Sequence, residues 1–69
     1  MYMEANNITK DAITVVFSPE ELTFLSNSIN EALEAVEEWE FQTRTGETKK
    51  RAMEIQAQLR EILDQAQRV

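Results

Sequence analysis

Apolar residues recur along this chain with two different periods. From Ile8 to Phe17 they alternate, with Ile13, Val15 and Phe17 on one side and Ala12, Thr14 and Val16 on the other. That spacing and its β-branched content predict an extended segment over residues 8–17. From Leu22 onward the period becomes helical. At about 100° per residue, Leu22, Leu25, Ile29, Ala32, Leu33 and Val36 share one arc of about 100°, while Asn27, Asn30, Glu34, Glu37 and Glu38 lie opposite. A second stripe of Ala52, Ile55, Leu59, Ile62, Leu63 and Ala66 repeats the pattern. Two amphipathic helices, over 19–38 and 49–67, are therefore expected, joined by a connector from Trp39 to Gly46.

Local signals fix the helix starts. Ser18-Pro19-Glu20-Glu21 places a capping serine before a proline at the first helical position, with Glu21 where it completes a capping box. Thr48 is the expected cap of the second helix, preceded by Gly46, the single glycine and the natural residue for a left-handed turn. Residues 1–7 carry no periodicity and are expected to form a flexible tail ahead of one strand-helix-helix domain over 8–69. A lone strand cannot satisfy its own backbone. Its partner is either the same strand of a second copy or residues 2–8 folding back through Thr9-Lys10-Asp11. That turn lacks the Gly or Asn-Gly of a tight hairpin, which favours pairing between chains.

Both stripes are wider than one neighbouring helix covers. Phe24, Ala35 and Trp39 extend the first on one flank, and Met53 and Ala57 sit off the second. A chain of 69 residues builds a core worth only about 3–5 kcal/mol, and natural proteins of this size add disulfides, metal or a partner chain. With no Cys and no His, disulfide and zinc staples are excluded, leaving oligomerisation. The expected fold is mainly α, a short N-terminal strand followed by an antiparallel helical hairpin, dimerising into a four-helix-bundle-like core.

The net charge of −6 is uneven: residues 1–43 hold nine acids against Lys10, and residues 44–69 hold six bases against four acids. An acidic first helix beside a more basic second one puts opposite charges along the seam. Lys50 with Glu54, Arg60 with Asp64 and Asp64 with Arg68 are spaced to pair within the second helix. Arg44, Lys49, Lys50 and Arg51 also gather near a helix N-terminus, an arrangement that suits an anion.

Catalytic material is scarce. Without Cys or His, no Ser or Thr has the base that would activate it. Glu31, Glu34, Glu37, Glu38 and Glu40 fall mainly opposite the apolar stripe and lack the His of a di-metal site. A lone glycine makes neither a P-loop nor a dinucleotide fingerprint. No enzyme activity, cofactor or metal is expected. Neither a signal-peptide pattern nor an apolar run of about 18 residues is present, so the expectation is a cytoplasmic protein without membrane contact.

The order of strand, helix, Gly-x-Thr connector and helix resembles a ribbon-helix-helix repressor, which implies DNA binding as the alternative function. Residues Ala12 to Phe17, Pro19-Glu20-Glu21 and Gly46-Glu47-Thr48 carry that likeness. Both strand faces are apolar apart from Thr14, the span from Pro19 to Thr48 is long for that family, and the chain is acidic, so nucleic acid is not the expected partner.

Function is sought in the connector. Trp39 and Phe41 either plug the open end of the hairpin or form an epitope with Glu40 and Arg44, which are spaced to pair. Here the chain resembles a family of short bacterial proteins of unassigned function. Phe17-Ser18-Pro19-Glu20-Glu21-Leu22, Asn27-x-x-Asn30-Glu31 and Glu40-Phe41-x-Thr43-Arg44-x-Gly46 match over residues 15–65, with Thr45 where an apolar residue is expected. The resemblance implies no activity, cofactor or partner. It singles out Asn27, Asn30, Glu40, Phe41 and Arg44 as acting together, with Asn30 available to bond connector backbone. The expected function is that of a small non-catalytic interaction or regulatory module, a homodimer with an unidentified protein partner.

Overall fold

Two strands and three helices follow one another in the computed structural model, which describes Met3–Arg68: β1 (Glu4–Ile8), β2 (Ile13–Val16), α1 (Pro19–Ala35), α2 (Glu38–Thr45) and α3 (Lys49–Gln67). Met1 and Tyr2 of the expected tail lie outside the described residues. The fold is mainly helical, with a two-stranded antiparallel sheet at its start.

The strand pairs within its own chain, against the expected pairing between copies. β1 lies antiparallel to β2, with Ile8 opposite Ile13 and Glu4 opposite Val16, and the register slips between Ala5 and Asn7. Most of the presumed tail is thus a strand, and Ile8 belongs to it. A tight glycine turn is unnecessary because Thr9–Ala12 forms a longer loop closed by a threonine hydroxyl. The Thr9 amide and Oγ1 both donate to the Ala12 carbonyl, at 2.7 and 2.9 Å, and the Ala12 amide donates back to Oγ1 at 2.9 Å. Among the described residues positive φ occurs only at Gly46. The hairpin rests over one end of the helices, where Ile13, Val15 and Phe17 face Leu22, Leu59 and Ile62 across a cavity of about 350 Å³.

α1 begins as its cap dictates. The Glu21 amide donates to Ser18 Oγ at 3.1 Å and the Ser18 amide to Glu21 Oε1 at 2.8 Å, a complete capping box. It ends at Ala35, three residues before the expected boundary. Electrostatics explain the early stop. Continuing would stack Glu34, Glu37 and Glu38 at a helix C-terminus, where the dipole disfavours anions and like charges at i,i+4 repel. Val36 instead turns extended at φ −134°, and the chain starts again with Glu37 as N-cap and Glu38 and Glu40 in the first turn of α2, where the dipole favours them. The connector is therefore a helix. It stops at Gly46, whose φ of 80° supplies the left-handed cap and whose amide donates to the Gln42 carbonyl at 2.9 Å.

α1 and α3 pack antiparallel, Ser26 level with Gln56 and Leu33 level with Lys49. Their seam is not centred on the two apolar stripes. The residues it buries are Leu22 and Ser26 on α1 and Ala52 and Gln56 on α3, so it runs along the polar edge of each stripe. Gln56 Nε2 donates to the Ser26 carbonyl at 2.9 Å, and Arg60 Nε reaches Ser26 Oγ at 3.3 Å. On the opposite flank Leu25, Ile29, Ala32 and Ile55 remain half-buried around an open groove.

The result is a flattened molecule, 37 × 31 × 20 Å. Its radius of gyration is 13.5 Å, against about 11 Å for a compact chain of this length. It exposes 5614 Å², where a compact 8.0 kDa chain exposes about 4,450 Å².

Candidate interaction surface

The residues singled out in the connector lie along α2, and that helix sorts them. Phe41, 3% exposed, is the one buried residue of α2, while Trp39 on the same helix is 66% exposed. Phe41 is buried beside Ala32 and Ala52 of the helical pair, and Trp39 is not buried. The Trp39 indole N–H turns outward to Glu37 Oε2 at 3.3 Å. Arg44 and Glu40 form an ion pair at 2.7 Å, one turn apart, with the guanidinium well exposed. Thr45 has a use for its hydroxyl: Oγ1 donates to the Phe41 carbonyl at 2.8 Å and accepts from the Glu47 amide at 3.2 Å, tying helix to turn.

Asn27 is exposed and Asn30 half-buried, both on α1. Among the described residues, the polar bonds joining α1 to the rest come from other side chains. Lys49 is the most connected of them. Its Nζ donates to the Leu33 carbonyl at 2.8 Å, and its amide donates to Glu38 Oε2 at 3.1 Å. The last turn of α1 holds no base and the first turn of α3 no acid, so each helix end takes from a neighbour the charge its own sequence lacks. Lys49 and Glu38 thereby lock the ends of all three helices together. They are eleven positions apart, and no local spacing announces the pair.

Within α3, Asp64 pairs with Arg68 as spaced, but Glu54 pairs with Arg51 at 3.8 Å rather than with Lys50, and Arg60 leaves Asp64 for Ser26. Ser26 and Gln56 had a legible signal: each occupies the edge of its apolar stripe on the same side, where a polar residue facing another helix needs a partner.

The open flank of the seam forms a groove of about 290 Å³ lined chiefly by Leu25, Ile29, Ala32, Phe41, Ala52 and Ile55. Phe24, 69% exposed, lies outside this groove, beside Ser18, Glu20 and Glu21. Among the described residues no three carboxylates are grouped to hold a metal ion, and no helix is long and apolar enough to cross a membrane. No family model, curated protein or solved structure shows significant similarity to this chain.

Proposed function

We propose that this chain is a small non-catalytic interaction module that works as a homodimer, each copy supplying half of a four-helix-bundle-like core. The observation that carries this reading is the offset seam. α1 and α3 meet along the polar edges of their stripes and leave the apolar halves open to one side. Large apolar side chains remain exposed on the hairpin, on α1 and on α3, including Ile8, Ile13, Phe24, Met53 and Ile62. Among the described residues the buried apolar ones are Leu22, Phe41 and Ala52, a small core to hold the chain folded alone. A second copy laid on the open flank covers Leu25, Ile29, Ala32 and Ile55 without any new chemistry.

α2, with Trp39 and Arg44 displayed on its outer side, is the surface that remains for another protein once the helical pair is covered. The hairpin offers Lys10 as its one base, against Glu4 and Asp11, so nucleic acid is left out of the proposal. Sedimentation equilibrium at micromolar concentration tests the reading. A mass of about twice 8.0 kDa supports it, and a single-chain mass up to high micromolar concentration overturns it.

A further inference from the structure

We propose that the groove between α1 and α3 is closed by the same groove of a second copy turned end for end, so that α1 of each chain lies antiparallel along α1 of the other. This rests on the homodimer reading and specifies its interface. Area, the two ends of the groove and the side chains along its rims lead to it.

The chain exposes roughly 1,150 Å² more than a compact monomer of its mass, above the 800 Å² or so that each partner contributes to a standard interface. Two-fold symmetry uses the same patch of both copies, so groove meets groove. An axis along the helices sets each end of the groove against the same end of the other copy, and an axis across them sets it against the opposite end. The two ends differ. Near Ala32 and Ala52 the groove is lined by Phe41, Thr45 and Glu47, and Glu47 is its one charged lining residue; toward Leu25 no charged residue lines it. An axis along the helices would bring the two Glu47 ends together, carboxylate beside carboxylate at the margin of an apolar contact. An axis across the helices keeps them apart.

The outward rims name the helix at the contact. Leu25, Ser28, Ala32 and Ala35 recur along α1 at intervals of three, four and three, the spacing of a coiled-coil seam, with no charge and no long polar side chain among them. The same intervals on α3, counted from Ile55, give Gln58, Ile62 and Gln65, and Ile62 already faces the hairpin across its own cavity. Two copies of α1 therefore approach with only Leu, Ser and Ala between them, while the glutamines of α3 hold a neighbour off. Leu25 and Ala32 bound the part of α1 that lines the groove, so the axis passes midway between them, at Ser28 and Ile29. Leu25 of each chain then faces Ala32 of the other.

Cysteine chemistry tests the contact, because the chain has none of its own. Leu25→Cys and Ala32→Cys are made separately, refolded together and oxidised, with sedimentation of the parent chain run in parallel. A two-chain disulfide appearing in the mixture, above what either variant gives alone, is the expected result. A parent dimer without that mixed disulfide, or with each variant linking to itself instead, overturns the pairing and leaves the homodimer standing; a parent monomer overturns both. Ser28→Glu gives an independent reading. Ser28 is exposed in the single chain and its hydroxyl bonds only the Phe24 carbonyl of its own helix, so a good helix former in its place should retain full helix content. Its dimer should dissociate at least about tenfold more readily, because the two new carboxylates meet at the axis. Asn27→Glu adds the same charge on the far side of α1, at another exposed position, and should leave association unchanged. Unchanged association for Ser28→Glu, or equal weakening by the two, would overturn the pairing.

Discussion

Replacing Phe41 with alanine separates the two aromatic residues that share α2. Phe41 is 3% exposed and is the only residue of its helix that is buried, so its ring anchors α2 to the α1–α3 pair beside Ala32 and Ala52. Deleting a buried phenylalanine side chain destabilises by about 3–5 kcal/mol through lost transfer energy and the cavity left behind. A core of this size supplies about that much in total. Phe41→Ala is therefore expected to lose most of its helical circular dichroism at 25 °C, or, where dimerisation adds stability, to shift its urea midpoint by about 2–3 M at a fixed chain concentration. Trp39→Ala, which removes a side chain 66% exposed and bonded only to Glu37, should stay within about 0.5 kcal/mol of the parent. A loss under 1 kcal/mol for Phe41→Ala, or equal losses for the two, would refute the anchor.

Three further substitutions test the helix ends. Ser18→Ala removes one half of the α1 capping box and should cost about 1 kcal/mol in denaturant unfolding; no change would mean the Glu21 bond contributes nothing. Gly46→Ala meets no atom within 4 Å, so its loss, about 1–2 kcal/mol, should come from the left-handed backbone alone, and Gly46→Asn should recover part of it. Lys49→Met should lose about 1 kcal/mol with its bond to the α1 C-terminus, whereas Lys50→Met at an exposed neighbouring position should change stability by less than about 0.5 kcal/mol.

Legibility in the sequence followed the range of the interactions. The start of α1 could be read because its cap is made by Ser18 and Glu21 three residues apart, and Thr48 and Gly46 were readable for the same reason. The intrachain hairpin is not legible because its turn relies on a threonine hydroxyl in a longer loop rather than on a glycine. α2 is not legible because Trp39 to Thr45 carries no apolar period; what makes it a helix is the preference of Glu37, Glu38 and Glu40 for an N-terminus. In the expected site, the Glu40–Arg44 pair and the buried Phe41 follow from their spacing and character, yet the bonds that fix α2 come from Lys49 and Glu38. The width of the apolar stripes was visible at once. Ser26 and Gln56 mark the polar edge of each stripe, but their pairing across the seam is not legible, because Gln56 reaches the Ser26 carbonyl thirty residues away.

Thermal melting as a function of chain concentration tests most directly whether the open flank is closed by a second copy. An unfolding enthalpy of about 0.7 kcal/mol per residue sums to nearly 100 kcal/mol for two chains of 69 residues, so each tenfold rise in concentration should raise the Tm by about 5 °C. A cooperative transition whose Tm is the same across a hundredfold range of concentration would show that α1 and α3 stand alone with their apolar flank in water, and would contradict the account.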